Sequence, residues 1–384
     1  MYEINPKLDG FSCLRTGQDL KVADYFEGSP SSAAEGYPAS LRATYAEQGA
    51  WPITSGEKGM ARYRHFLPYL TFPSLGEGAT PLIELPTVAR DVGLAKVWAK
   101  NEGQNPTGSH KDRMSPLVVA RAAALGVSTV AAASSGNAAV SLAAYAAAGG
   151  LGCAIVTAST IGANWKRALE TFGVELVITP TARERWNYLR DKVLGGEWYP
   201  ATNYLFPPVG SNPFGVQGYK TMAYEIAEDL SQGLPDAILV PTARGDVLWG
   251  LWEGFRELRQ AGHIAAVPRH FAVEPFPRIS RVLDGGDYRD AFPGQTKLSS
   301  IGGDSVTFQA LEAVRETRGG AVVVGDREAE DGVSRLAALG LYAEASSATC
   351  LGALAKLRQR GDLAADESAL LVLTSHGFKT APER

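Results

Sequence analysis

From Lys96 onward the chain carries short apolar runs separated by helical stretches. Thr129-Val130-Ala131-Ala132-Ala133, Cys153-Ala154-Ile155-Val156 and Glu175-Leu176-Val177-Ile178 are of strand length. So are Ala237-Ile238-Leu239-Val240, His270-Phe271-Ala272-Val273 and Ala369-Leu370-Leu371-Val372-Leu373. Strand-length runs alternating with helical ones predict βαβ units, and hence parallel sheets covered on both faces. Lys96 to Lys100 opens this series as a strand, and an alanine-rich helix is expected from about Met114. Alanine and glycine dominate Ala138 to Gly150, which lets helices pack closely. Before this regular region, Gly59 to Leu70 reads as a short helix and Ser74 to Leu82 as a glycine-rich loop ahead of a strand. Met1 to Pro52 is polar and turn-rich, an irregular arm expected to cover the main domain or a subunit interface. There is no internal repeat and no flexible interdomain linker.

A length of 384 residues implies two domains or one large α/β unit. The 45% hydrophobic and 20% charged content is that of an ordinary globular protein. A net charge of −4 supplies no basic footprint for nucleic acid. No apolar run approaches the about 20 residues needed to cross a bilayer, and Met1 to Asp9 has no apolar signal core. Cys13, Cys153 and Cys350 are too scattered for a disulfide framework. The expectation is a cytoplasmic protein with neither nucleic acid nor membrane as partner.

Candidate chemistry centres on Asn105-Pro106-Thr107-Gly108-Ser109-His110-Lys111-Asp112-Arg113. Pro106 and Gly108 break regular structure, so Lys111 falls at a loop-to-helix junction. A helix N-terminus and partial burial both disfavour the ammonium form and sharpen the amine as a nucleophile. Such a lysine can form a Schiff base with a carbonyl cofactor such as pyridoxal 5'-phosphate, PLP. Ser134-Ser135-Gly136-Asn137 lies between a strand and a helix, where backbone N–H groups bind anions. Thr242-Ala243-Arg244-Gly245-Asp246 has the same placement after strand 237–241.

These segments, in this order, resemble the fold-type II PLP enzymes, and among them the threonine synthases most closely. The resemblance runs from about Arg62 to Lys379. It also takes in Ser74-Leu75-Gly76-Glu77-Gly78-Ala79-Thr80-Pro81-Leu82, Gly218-Tyr219-Lys220-Thr221 and Leu373-Thr374-Ser375-His376-Gly377. It implies an α/β fold of two three-layer domains with parallel-rich sheets and the cofactor in the cleft between them. Residues 104–197 would form a small inserted domain, and 1–103 with 198–384 the large PLP-binding domain.

By the same resemblance Lys111 binds PLP. Ser134, Ser135 and Gly136 hold the substrate carboxylate, and Asn137 hydrogen-bonds the phenolic oxygen of the cofactor. Residues Thr242 to Asp246 cradle its phosphate, and the Thr374 hydroxyl faces the pyridine nitrogen. Such a hydroxyl leaves that nitrogen largely unprotonated, which suits elimination and replacement over transamination. The likeness also implies a small amino-acid substrate and a homodimer.

Several positions depart from the family. The phosphate loop keeps only Gly245 as glycine. Two readings of Arg244 stand: it pairs with the cofactor phosphate or an anionic substrate group, or it pairs with Asp246. His110 replaces a phenylalanine, either as an added acid or base beside Lys111 or as a packing group. Gly215 stands where threonine synthases usually carry an arginine for the phosphate of O-phosphohomoserine. The arm resembles a zinc ribbon with three of its four ligands replaced, leaving Cys13 with Thr16, Ser29 and Ser32. Neutral hydroxyls do not substitute for thiolates in a structural site, so no metal is expected.

The leading expectation is therefore a threonine synthase-like PLP lyase acting by elimination or replacement at the β or γ carbon of an amino acid. The alternatives are an amino-acid dehydratase or ammonia-lyase, a cysteate synthase-like β-replacement enzyme and, from another class, a non-catalytic PLP-binding scaffold.

Overall fold

A computed structural model describes residues 2–46, 51 and 53–379. The chain divides into two compact units. The first comprises Met1–Ala79, Asn105–Thr221 and Lys379–Arg384, the second Thr80–Gln104 and Met222–Phe378.

The first unit is built on a four-stranded parallel sheet in the order Glu175–Thr179, Gly152–Ala158, Thr129–Ala133 and Tyr199–Pro200. Both faces of the two central strands, Gly152–Ala158 and Thr129–Ala133, are buried, as the unbroken apolar runs require. Ala131, Ala133, Ala154 and Val156 pack with Leu189 of helix Ala182–Leu194 on one face. The alternate residues Val130, Ala132 and Ile155, also inaccessible, point to the other face, and helix Asn137–Ala148 packs on these two strands. Thr181 starts helix Ala182–Leu194 with a reciprocal capping box to Glu184.

The second unit carries a six-stranded sheet ordered Gly320–Val323, Arg269–Glu274, Ala237–Pro241, Ser368–Leu373, Lys96–Asn101 and Leu82–Glu84. The first five are mutually parallel and the last is antiparallel. Val97, Ala99, Leu239, Val273 and Leu371 form one core with Leu351 and Leu354 of helix Ala345–Arg360. Their neighbours Ile238, Val240, Ala272 and Leu370 are equally buried on the opposite face. Each unit is thus an α/β layer structure, as the periodicity predicts.

The N-terminal segment departs from the expectation of an irregular arm on the large domain. Asp19–Leu20, Leu8–Cys13 and Leu41–Tyr45 form an antiparallel sheet in that order. It belongs to the first unit, as do residues 198–221. Phe11 meets the Phe214 ring edge-on at 5.1 Å, and Asp24 accepts 2.7 Å bonds from Arg121 Nη2 and Tyr199 Oη. These contacts join segments 97 or more residues apart, so no local pattern announces them. Residues 47–50 and 52 of the arm lie outside the described residues.

The four ribbon-like positions do converge, on one another. Cys13 Sγ lies 3.1 Å from Ser32 Oγ and accepts the Thr16 N–H at 3.4 Å, while Ser31 Oγ bridges Ser29 and Thr16 at 3.0 and 3.3 Å. Burial works to raise the Cys13 thiol pKa, but hydrogen bonds from Ser29, Ser32 and Thr16 outweigh it and leave it at about 7.

Candidate active site

The Lys111 turn is braced from within. Gly108 adopts φ 80°, which lets its N–H reach the Asn105 carbonyl at 2.7 Å. Asp112, fully buried, takes both the Thr107 N–H and hydroxyl at 2.6 Å. Burial raises the Asp112 pKa, opposed by these bonds. His110–Arg113 is a single 3₁₀ turn leading into helix Ser115–Ala124, so Lys111 does lie at a loop-to-helix junction. The Lys111 ammonium donates to Tyr219 Oη at 3.2 Å, and the His110 ring lies 5.7 Å from the Tyr219 ring. His110 therefore packs on the same tyrosine that its neighbour bonds.

Tyr219 is the site residue that sequence reasoning missed. It stood within the Gly218-to-Thr221 motif, but nothing local indicates a contact across 108 residues. The contact exists because segment 215–219 presses against the lysine turn. A Cβ on Gly218 would lie 1.7 Å from the Arg113 carbonyl oxygen, and one on Gly215 would lie 2.6 Å from Val118 Cγ2. Thr221 Oγ1 accepts from Arg113 Nη1 at 2.8 Å and donates to the Gly218 carbonyl at 2.6 Å, locking the approach.

The Ser134-to-Asn137 loop belongs to the same unit, and its helix packs on the lysine turn. Ser115 Oγ and Ser141 Oγ, 2.7 Å apart, link the two. Ser135 Oγ accepts from Thr157 Oγ1 at 2.7 Å and Arg185 Nη1 at 3.3 Å, and Gly136 N–H bonds Ser134 Oγ at 3.3 Å. The Ser135 and Ala138 N–H groups have no partner among the described residues. Asn137 Oδ1 accepts from Lys379 Nζ at 2.7 Å. Two side-chain cations and a helix N-terminus thus give this loop a positive field.

In the second unit, the 242–246 loop and Thr374 follow adjacent parallel strands and occupy neighbouring places at their carboxyl ends. Gly245 at φ 81° precedes helix Asp246–Gln260, and its absent Cβ would meet Ala310 Cβ at 2.4 Å. The Ala243 and Gly245 N–H groups have no partner among the described residues. Asp246 Oδ1 takes Gln309 Nε2 at 2.6 Å, a contact that the Arg244–Asp246 reading does not include. Thr374 Oγ1 lies 2.8 Å from Ser347 Oγ, which in turn accepts the Ser375 N–H at 3.0 Å. The Thr374 hydroxyl is thus held against a helix residue.

Comparison with known proteins shows the family and the fold. Residues 73–375 match the family described as pyridoxal-phosphate dependent enzyme. Threonine synthase of Methanocaldococcus jannaschii is 31% identical over 349 residues, covering 84% of this chain and 81% of the relative. That of Methanosarcina acetivorans is 29% identical, covering 83% and 79%. Among solved structures, maize serine racemase superposes with a TM-score of 0.68 at 18% identity, over 79% of this chain and 89% of the other. O-ureido-L-serine synthase gives 0.63 at 23% identity, over 78% and 90%. These two likenesses concern the fold.

Proposed function

The chain belongs to the pyridoxal-phosphate-dependent enzymes of fold type II, and on that premise we propose that Lys111 carries the cofactor and then serves as the base at the substrate Cα. The chemistry is threonine synthase-like, an elimination or replacement at the β or γ carbon of an amino acid. Each unit by itself carries groups of the kind the cofactor takes: a lysine amine for its aldehyde in the first, and in the second unpartnered loop amides for its phosphate and the Thr374 hydroxyl for its ring nitrogen. When bound, PLP supplies the electron sink that makes a Cα proton removable.

The observation that carries the proposal is the Lys111 Nζ to Tyr219 Oη contact of 3.2 Å. A hydroxyl at hydrogen-bond distance orients the amine and can pass a proton to or from it. Asn137 contributes a directed group: Oδ1 accepts from Lys379, which makes Nδ2 the donor end of the amide. The Ser135 and Ala138 amides then take the substrate carboxylate.

For the substrate, we propose an amino acid with an oxygen-linked leaving group, making the enzyme a carbon–oxygen lyase. Gly215 supplies no cation, and Val118 and Met114 close the space that a side chain would need. A phosphate ester carries close to two negative charges at neutral pH, so a less charged or differently charged leaving group is favoured over O-phosphohomoserine. The same observation supports a second reading, dehydration of or β-replacement on a serine-like substrate. A homodimer in a cytoplasmic, reducing setting completes the proposal. The three free thiols suit that setting, and light scattering after size exclusion reads the oligomeric state.

Borohydride reduction of the holoenzyme followed by peptide mapping tests the lysine: the pyridoxyl label belongs on Lys111, and a label elsewhere rejects the assignment. The substrate is tested by kcat/KM for O-phosphohomoserine beside serine, threonine, O-acetylserine and O-phosphoserine, repeated with Arg244→Ala. A preference for O-phosphohomoserine that survives Arg244→Ala would reject both the Gly215 argument and a substrate role for Arg244.

A further inference from the structure

Arg278 is fully buried, yet its guanidinium is spent almost wholly on carbonyl oxygens. Nη2 donates to the Thr242 carbonyl at 2.8 Å, and Nη1 to that of Ala243 at 3.3 Å and to that of Gly303. The next carbonyl, of Arg244, takes the Thr307 hydroxyl at 2.5 Å. In a trans peptide the C=O and the following N–H point in opposite directions. Three successive carbonyls drawn towards Arg278 and Thr307 therefore turn the N–H groups of Ala243, Arg244 and Gly245 away from them. Those of Ala243 and Gly245 meet no acceptor among the described residues. The positive φ of Gly245 lets the chain run straight into the 15-residue helix whose N-terminus adds its own partial positive charge.

Arg278 has a buried acidic neighbour in Glu274. Glu274 lies 3.7 Å from Arg278 Nε, and its oxygens already accept the N–H groups of Arg278, Ile279 and Ser280 and the Ser280 hydroxyl, at 2.7–3.1 Å. Burial presses the Arg278 pKa down to about 10, with Glu274 opposing and Arg244 reinforcing, so the group stays cationic at neutral pH. The outward-turned amides and the helix N-terminus favour an anion on the amide side.

We propose that Arg278 is a positioning residue for the cofactor phosphate, holding the 242–246 loop by its carbonyls so that the loop amides face that phosphate. It acts through the loop and its buried charge. The inference rests on the reading of this loop as the phosphate cradle.

The test is made on the full-length chain freed of cofactor, titrated by absorbance with PLP and separately with pyridoxal, which has the same aldehyde and no phosphate. Arg278→Met is expected to weaken PLP about tenfold to hundredfold, as for loss of charge-assisted bonds, and to leave pyridoxal unchanged. Arg278→Lys, which keeps the charge but cannot span three carbonyls, is expected to fall between parent and Arg278→Met. Equal losses for both ligands would mean a merely structural role, and no loss would mean no role; either overturns the proposal. If Arg278→Met does not fold, the ratio for Arg278→Lys decides, and a parental ratio overturns it. Gly245→Ala probes the loop itself. If this variant keeps the parental preference for PLP over pyridoxal, the cradle reading fails whatever Arg278 does.

Discussion

Lys379 Nζ donates to Asn137 Oδ1 at 2.7 Å across 242 residues of sequence, while lying 5.4 Å above the Trp165 ring. The bond fixes which end of the Asn137 amide is the oxygen, because an ammonium only donates and so must take the carbonyl oxygen. The first prediction follows from this contact. Lys379→Met should lower kcat/KM on the order of tenfold, the scale of one charge-assisted bond. The melting temperature should hardly move, since Lys379 is not part of either core. Lys379→Arg should recover most of the activity. A Lys379→Met enzyme with parental kinetics would remove Lys379 from the site.

The tight approach of Gly218 to the lysine turn gives the second prediction. An added Cβ would sit 1.7 Å from the Arg113 carbonyl oxygen, which is backbone and cannot swing aside. Gly218→Ala should cost about 1–3 kcal/mol or more, as overpacking does. It should also move Tyr219 off Lys111, weakening cofactor retention beyond what the stability loss explains. Denaturant melts and the absorbance of the purified holoenzyme measure the two effects. Parental stability together with full cofactor content would contradict the packing argument.

The third prediction concerns the hydrogen-bonded knot around Cys13. Purified without chelator, the parent should carry no stoichiometric zinc, because one thiol and three hydroxyls are a poor donor set. The triple variant Thr16→Cys, Ser29→Cys, Ser32→Cys should bind about one zinc per chain, four thiolates being a complete structural set. Atomic emission on both proteins checks this. Zinc in the parent, assigned to the arm, would refute the first half, and a metal-free triple variant the second.

His270 supplies the fourth. Its ring is fully buried, Nδ1–H donates to the Pro268 carbonyl at 2.8 Å, and burial lowers its pKa from 6.5 to about 4. Between those values the unfolded chain binds a proton that the folded chain refuses. Stability must therefore fall as pH drops from 6.5 towards 4, by up to roughly 3 kcal/mol. His270→Phe should flatten that part of the acid limb in denaturant melts against pH. An unchanged limb would show that other groups govern it.

Much of the fold was legible because its signals are local. The runs at 129–133, 237–240 and 369–373 are strands because short, fully apolar segments bounded by turns have little alternative in a two-sided sheet. The lysine turn was legible for a similar reason: Pro106 and Gly108 interrupt the chain just before a helix. The N-terminal sheet was not legible. Its strands are Leu8–Cys13, Asp19–Leu20 and Leu41–Tyr45, short segments that become a sheet by pairing across turns and by burying Phe11 on Phe214. The grouping of that sheet with residues 105–221 depends on the same distant contacts.

The sequence by itself determined the α/β class, the order of the strands along the chain and the identity of Lys111, Asn137, the 242–246 loop and Thr374 as the residues to examine. Only the tertiary structure decided what surrounds them. Tyr219 reaches Lys111, Lys379 reaches Asn137, and Arg278 grips the carbonyls of the 242–246 loop. The physical reason is range. Periodicity, caps and turns act over a few residues and leave a mark in composition. A hydrogen bond that closes over tens or hundreds of residues depends on where packing brings the backbone, and the partners carry no local sign of it.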